Sequence, residues 1–247
     1  MSQLFVYDLE TTGLSTKKDK IIEIYIYNVD KEVCLHKLIN PECEIPSESI
    51  SVHGLTNMDL KNKPVFKEVV EDIIDFVGKS GYLVSHNNNQ FDHPFLEAEF
   101  KKANKKLPRG WKFIDTLHLA RIAYPELTNF KQDTLREMCG ISSDGSHRAN
   151  KDVKDLAVIY HKIVKDLNLE TVEDVYELSE NFTFNKMPFG KHKNVDLKKV
   201  PKDYIMWMIE NGIITEEKHN ILFRSLIKHG ILKLKNKKKQ KNRRSRY

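Results

Sequence analysis

Residues 3–14 read QLFVYDLETTGL, an apolar run that carries two acids, Asp8 and Glu10, two positions apart. In a β-strand the side chains at positions i and i+2 lie on the same face. We therefore predict a buried strand over residues 4–9 that holds two carboxylates side by side. Without a partner these groups would repel each other, and one of them would retain its proton. A divalent cation such as Mg²⁺ or Mn²⁺ removes that repulsion and prefers carboxylate oxygens as ligands.

Two later segments supply further polar side chains. The first is HNNNQFD, residues 86–92, directly after a strand-like run, and the second is HRANKD, residues 147–152. Asp92 and Asp152 each begin a helical pattern on its apolar face. For either acid alone, a role in starting the helix is the better interpretation. Together with the first pair of acids, they favour a metal site.

The order of these motifs, D-x-E, H-N-(x)-F-D and H-x-A-x-x-D, resembles the DEDDh (DnaQ-like) family of metal-dependent 3′→5′ exonucleases. The resemblance covers roughly residues 4–165. The spacing in HNNNQFD is similar to that of the three-prime repair exonuclease branch, because the bacterial proofreading branch usually has one residue fewer there. Two positions depart from the pattern. Asn88 stands where a glycine is usual, and we expect it to tolerate a left-handed backbone, while His93 stands where an aromatic residue is usual.

The resemblance implies a site for two Mg²⁺ (or Mn²⁺) ions, which hold the attacking water and the leaving oxygen of an in-line phosphoryl displacement. Carboxylates that bind metal supply no proton acceptor, so a group that titrates near neutrality is needed. His147, five residues before Asp152, is the predicted general base. His86 competes for this role, but its place after a strand favours a structural hydrogen bond. The four predicted metal ligands are Asp8, Glu10, Asp92 and Asp152.

Further substrate contacts follow from the same resemblance. The backbone of Thr11 and Thr12 is expected near the terminal 3′-hydroxyl, and His53 against a nucleotide. Asn87 is expected near the nucleic-acid backbone. Phe91 is expected against a base, where stacking would tolerate any sequence; a plain core position for Phe91 is an equally good interpretation.

Hydrophobic periodicity predicts an α/β fold with a mixed five-stranded sheet flanked by helices, the ribonuclease-H-like arrangement. The predicted strands are residues 4–9, 21–27, 32–39, 82–85 and 111–115. The predicted helices are residues 65–77, 92–103, 116–123, 133–138 and 149–167. A later stretch that contains FGKHK, residues 189–193, resembles a small F-G-K-x-K domain of unknown function. We predict an exonuclease domain over residues 1–168, a small, mainly helical domain over 169–232, and a disordered basic tail over 233–247.

Composition narrows the class of protein. The three cysteines show no C-x-x-C spacing, which favours a reducing compartment over a disulfide scaffold. Neither a signal peptide nor a membrane-spanning run is recognised, so we expect an intracellular, cytoplasmic protein without a membrane partner. The net charge of +6 is concentrated in the tail, whose nine Lys and Arg leave 32 basic and 35 acidic residues in the rest. Three interpretations of the tail stay open: a tether to phosphate backbones, which we favour, a solubilising end, or a nuclear import signal.

The resulting hypothesis is a metal-dependent 3′→5′ exonuclease that releases nucleoside 5′-monophosphates from single-stranded DNA ends. Two alternatives stay open: an exoribonuclease with the same chemistry, because sugar choice depends on contact with the 2′-hydroxyl, and a non-catalytic nucleic-acid-binding module. The branch resemblance also implies a homodimer. In the F-G-K-x-K stretch, Lys191 and Lys193 fit phosphate contacts or solvated turn charges equally well, and Trp207 fits a core or a ligand position.

Overall fold

A mixed five-stranded sheet forms the centre of the protein in a computed structural model that describes residues 3–142, 149–216 and 219–233. In order across the sheet, the strands are β3 (Val33–Leu38), β2 (Ile21–Asn28), β1 (Leu4–Thr11), β4 (Ser80–Ser85) and β5 (Gly110–Asp115). Strands β1, β2 and β3 are antiparallel neighbours, while β4 runs parallel to both β1 and β5. The predicted α/β class and ribonuclease-H-like sheet are confirmed.

Helices precede, separate and follow the last two strands. Those in the first part of the chain are α1 (Ser47–His53), α2 (Asn57–Leu60), α3 (Phe66–Val77), α4 (Asp92–Lys102), α5 (Thr116–Ala123), α6 (Gln132–Met138), α7 (Ala149–Asp166) and α8 (Val172–Glu180). Sequence periodicity missed α1, α2 and α8. The first two are too short to show a helical period, and α2 is fixed instead by a capping box between Thr56 and Asp59.

The two faces of the sheet pack against different helices. On β1, Leu4 and Val6 belong to a cluster that includes Leu156, Ile159 and other residues of α7. Phe5, Tyr7 and Leu9 point the other way and pack against α3 and α4. Because side chains alternate along a strand, Asp8 and Glu10 continue the row of Leu4 and Val6. The acid pair therefore lies on the α7 side, at the carboxyl end of β1.

The chain divides into two compact units between Glu180 and Asn181, instead of after residue 168 as predicted. Helix α8 belongs to the first unit because it packs against β5. Its Ser179 hydroxyl accepts a hydrogen bond from the backbone N–H of Asp115 at 3.2 Å. The division thus follows the end of the last helix that covers the sheet.

The second unit has a core of its own, and among its described residues it is mainly helical. It contains α9 (Lys202–Glu210), α10 (Asn220–Lys228) and a short 3₁₀ helix, Leu197–Lys199. Met187, Ile205 and Leu226 are among the side chains fully buried there. Residues 234–247, most of the predicted tail, lie outside the described residues.

Two expectations about composition can be checked on the described residues. Cys34, Cys43 and Cys139 are all free thiols, so none forms a disulfide there. In the described part of the chain, the helices are too short or too polar to cross a bilayer.

Candidate active site

Asp8 and Glu10 lie on β1 with their side chains partly buried on the α7 side. Burial, followed by the charges of Asp152 and Glu23, raises the pKa of Asp8 from 3.8 to about 7, against a smaller opposing effect of Arg136. Burial and the charges of Asp8, Glu23 and Asp152 raise the pKa of Glu10 from 4.5 to about 8. The two acids of β1 and the distant Asp152 therefore share one electrostatic environment.

Asp92 opens α4, just beyond the carboxyl end of β4, and is 2% exposed. The Ser85 hydroxyl donates a hydrogen bond to its Oδ2 at 2.7 Å. Its Oδ1 is buried and has no hydrogen-bond partner among the described residues. Burial, followed by the charge of Asp8, raises the pKa of Asp92 well above its ordinary value. This oxygen is therefore a buried acceptor without a donor, in a site where neighbouring acids raise the local negative charge.

Asp152, in the first turn of α7, is held by Arg136, a residue that the sequence motifs do not indicate. Arg136 of α6 is 4% exposed, and its Nη2 lies 2.5 Å from Asp152 Oδ1. Its Nε lies 3.1 Å from Asp155 Oδ2, and its Nη1 lies 2.7 Å from Asp133 Oδ1. One buried guanidinium thus joins α6 to α7 and fixes the orientation of a predicted metal ligand.

Glu23 is a fifth acid of the site, also missed from sequence. It pairs with Glu10 in the β1–β2 register, so the two carboxylates lie on directly opposed positions of neighbouring strands. Like charges in such a pair destabilise a sheet. An ion pair with His36 of β3, Nε2 to Oε1 at 2.6 Å, partly offsets this repulsion when the histidine is protonated.

The donor set suits a hard divalent cation. It consists of carboxylate oxygens whose charges repel each other, together with the unpartnered Oδ1 of Asp92. In the described residues no group of three or more His, Cys, Asp or Glu side chains is arranged to hold an ion as it stands. The hydrogen bonds of Asp152 with Arg136 and of Asp92 with Ser85 account for part of this arrangement.

Two histidines were candidates for the general base, and the structure describes only one of them. His147, the predicted general base, lies outside the described residues. The ring nitrogens of His86 lie 2.9 Å from Thr116 Oγ1 and 2.9 Å from the carbonyl oxygen of Phe130. Burial lowers the pKa of His86. Its two hydrogen bonds confirm the structural role expected of it and remove it as a rival base.

The HNNNQFD turn differs from expectation in which asparagine takes the left-handed backbone. Asn87 has φ of +62°, whereas the sequence reading assigned this conformation to Asn88. Asn88 is fully buried, and its Oδ1 accepts a hydrogen bond from the Tyr7 hydroxyl at 2.5 Å. Its side-chain amide donates to the carbonyl of Ile114 at 3.0 Å. The same amide donates a longer hydrogen bond to the carbonyl of Leu83 at 3.4 Å, so Asn88 joins β1, β4 and β5, a role that glycine could not fill.

Three of the predicted substrate-contacting residues, Thr11, Asn87 and Phe91, lie at or just after the carboxyl ends of the parallel strands β1 and β4. Thr11 ends β1, and the backbone N–H and C=O of Thr12 are engaged by Lys20 and Ser49 within the protein. Phe91 is half-buried against Phe95, with ring centroids 5.0 Å apart, so it serves the core at least in part. Asn87 is also partly buried.

His53, at the end of α1, has the geometry of a donor. Its Nδ1 accepts a hydrogen bond from the backbone N–H of Leu55 at 3.0 Å, so a neutral ring carries its proton on Nε2. That Nε2 is buried and has no partner among the described residues. Burial lowers the pKa of His53, which favours the neutral ring. The predicted contact between His53 and a nucleotide remains a prediction that this free donor supports.

Two protein-family models match parts of this chain. The model of the RNase_T exonuclease family matches residues 5–160, which include the five strands of the described sheet apart from Leu4, and helices α1 to α6. The chain belongs to the DnaQ-like exonuclease family. A second model, described as a putative quorum-sensing-regulated virulence factor, matches residues 176–218, which include the FGKHK stretch.

Curated relatives of this exonuclease are bacterial DNA-processing enzymes. The chain is 35% identical to DNA polymerase III subunit epsilon of Treponema pallidum over 60% of its own length and 70% of the relative's. It is 33% identical to 3′-5′ exonuclease DinG of Bacillus subtilis over 72% of its length, but this spans only 19% of that relative. It is 29% identical to the PolC-type DNA polymerase III of Caldanaerobacter subterraneus, of which it spans 15%. The family prediction is confirmed, and the finer assignment to the three-prime repair exonuclease branch stays a prediction.

Solved structures confirm the fold of the exonuclease. Exonuclease X in complex with 5′ overhanging duplex DNA has a TM-score of 0.56 and 23% identity, and the match covers 71% of this chain and 99% of that one. Exonuclease I of E. coli in complex with a dA16 oligonucleotide has a TM-score of 0.58 and 19% identity, over 67% of this chain and 41% of that one.

The raised pKa values of Asp8 and Glu10 predict how the metal-free exonuclease responds to pH. Between the ordinary values of 3.8 and 4.5 and the folded values of about 7 and about 8, the folded chain binds protons that the unfolded chain has released. The free energy of unfolding should therefore fall as pH rises from about 4 to about 8. We expect thermal unfolding in chelator to show this fall, and Mg²⁺ added at pH 8 to reverse it. The matched variant Asp8→Asn/Glu10→Gln should have a flatter profile, and parallel profiles would contradict the assignment.

Proposed function

We propose that the protein is a 3′→5′ exonuclease that hydrolyses phosphodiester bonds at single-stranded DNA 3′ ends and releases nucleoside 5′-monophosphates. The observation that carries the proposal is the acid cluster, in which Asp8 interacts electrostatically with Glu10, Asp92 and Asp152. Such a concentration of negative charge is unsuited to a polyanionic substrate unless cations offset it. The 3′→5′ polarity of the DinG relative and the DNA in the solved complexes support the choice of substrate.

The family is generally dependent on divalent metal, and we propose two Mg²⁺ (or Mn²⁺) as the ions. Asp8, Glu10, Asp92 and Asp152 would hold them. Bound there, the ions supply a nucleophile at neutral pH and charge stabilisation for the leaving oxygen. Ser85 and Arg136 orient the side chains of Asp92 and Asp152. His53, through its free Nε2–H, fits a hydrogen bond to an oxygen of the terminal nucleotide.

His147 is proposed as the group that accepts the proton from the attacking water. We expect His147→Ala to lower the hydrolysis rate about 100-fold or more, because positioned general bases contribute at least that much. Metal affinity, measured by titration calorimetry with Mn²⁺, should stay unchanged. His86→Ala is the contrasting variant and should lower thermal stability, since His86 holds Thr116 and Phe130. Loss of metal binding in His147→Ala would identify His147 as a ligand instead of a base.

The experiment that tests the function is a parallel digest of end-labelled single-stranded DNA, duplex DNA and RNA, with and without Mg²⁺. A label at the 5′ end should yield a ladder of shortening products, and a label at the 3′ end should yield a labelled mononucleotide at once. We expect single-stranded DNA to be cut fastest and chelator to stop the reaction. Faster digestion of RNA would show that RNA is the preferred substrate. Binding without cleavage in any metal tested would show that the protein is a nucleic-acid-binding module and not a nuclease.

A further inference from the structure

The second unit carries an aromatic pair on α9, the half-buried Tyr204 and the exposed Trp207, which we name the aromatic shelf. The two rings are 6.1 Å apart between centroids and inclined by 25°, so they lie nearly parallel. Trp207 is 51% exposed, whereas its neighbours Ile205 and Met208 are buried in the core of the unit. Of the two interpretations of Trp207, a core position or a ligand-binding position, the exposure of its side chain contradicts the core position. A large flat ring held open to solvent in this way is a surface on which a base can stack.

A glycine turn fixes the shelf in place. The Tyr204 hydroxyl accepts a hydrogen bond from the backbone N–H of Lys191 at 3.0 Å. Gly190 has φ of +79°, and a Cβ at this position would lie 2.7 Å from the same hydroxyl. His192 packs edge-on against the Tyr204 ring with centroids 4.7 Å apart. The F-G-K-x-K stretch therefore holds the shelf, and it leaves the side chains of Lys191 and Lys193 exposed beside it.

Charge is divided sharply between the two units. Residues 1–180 contain 23 Lys and Arg against 30 Asp and Glu, a formal charge of −7, whereas residues 181–233 contain ten against five, a charge of +5. The catalytic unit alone would repel a polyanion, and the second unit would attract one. Near Trp207 the helix itself bears the acids Asp203 and Glu210 as well as Lys202. A polyanion at the shelf would therefore be attracted towards Lys191 and Lys193 and not towards these two acids.

We propose that the second unit binds single-stranded nucleic acid, with a base stacked on Trp207 and phosphates held by Lys191 and Lys193. This inference goes beyond the proposed function, because it assigns a binding site remote in sequence from the acid cluster and independent of catalysis. The site is sequence-tolerant, since every base offers a flat face.

The test uses the full chain in chelator, with a labelled 20-nucleotide oligo(dT) and the matching oligo(rU) as probes. Trp207→Ala should weaken binding of the preferred oligonucleotide about tenfold, because one stacked base is worth on the order of that factor. Ile213→Ala, a change of another exposed apolar side chain of the same unit, should leave it unaltered. Lys191→Ala/Lys193→Ala should reduce the slope of log K against log salt by about 1.4, at ~0.7 for each phosphate contact.

Tryptophan fluorescence supplies a direct readout of stacking. The chain has two tryptophans, and Trp111 is 6% exposed, so stacking should quench only the emission of Trp207. Polyphosphate, which has charge but no bases, should bind without quenching and should bind Trp207→Ala as well as the unaltered chain. Equal oligonucleotide affinity of Trp207→Ala and the unaltered chain, or binding without quenching, would overturn the proposal. Hydrolysis of a trinucleotide should not change in Trp207→Ala. An unaltered chain that binds the oligonucleotide with quenching but cleaves nothing in Mg²⁺ would count against the proposed function alone.

Discussion

Asp8→Asn is expected to bring hydrolysis of single-stranded DNA below detection while the chain stays folded. The charge of Asp8 raises the pKa of both Glu10 and Asp92, and the charge of Asp152 acts on Asp8 in turn. Asp8 therefore interacts electrostatically with acids from β1, α4 and α7. Asparagine keeps the size of the side chain but removes the anionic ligand, and affinity for the cations should fall with it.

The folded state of Asp8→Asn should be at least as stable as that of the unaltered chain in chelator above pH 7, because a repulsive charge has been removed. Mononucleotide release, titration with Mn²⁺ and chemical denaturation measure the three effects separately. Asp75→Asn changes an exposed acid of α3 and should leave all three unchanged. Unchanged turnover in Asp8→Asn would remove Asp8 from the site, and a large loss of stability would make its role structural.

The parts of the site that sequence predicted are those carried by local patterns. Asp8 and Glu10 are visible because period-two alternation places them on one face of a strand, and that face is the one the structure shows. Asp152 is visible because Leu156 and Ile159 follow it at helical spacing on a buried stripe. Strand alternation likewise predicted the sheet, since each strand needs only its own residues to be recognised.

The parts that sequence missed depend on pairing between elements. Glu23 becomes part of the site only through the β1–β2 register, which places it opposite Glu10 beside an irregularity of the strand pair. Its one signal was an acid in the otherwise apolar run IIEIYIYN of β2. Arg136 belongs to a seven-residue helix whose sequence, QDTLREM, resembles an exposed surface. Its burial follows from the docking of α6 on α7, which no local period records.

Arg136→Met is expected to cost the metal-free chain about 3–5 kcal/mol of unfolding free energy. The guanidinium is 4% exposed and contacts Asp152, Asp155 and Asp133, so its removal leaves two partly buried carboxylates without their main partner. Methionine fills much of the same volume, so the loss reports on charge more than on packing. Arg109→Met, at an exposed position, should change stability by less than about 0.5 kcal/mol.

Metal should rescue part of this loss, and that rescue separates a role at the site from a merely structural one. A cation bound to Asp152 would supply positive charge close to the position of the missing guanidinium. We therefore expect Arg136→Met to be destabilised less in saturating Mg²⁺ than in chelator, when chemical denaturation is measured in both. Arg136→Met/Asp155→Leu should recover further stability in chelator, because it removes one of the two carboxylates that lose the contact with Arg136. An equal loss with and without Mg²⁺ would mean that Arg136 joins α6 to α7 without bearing on the metal ligand Asp152.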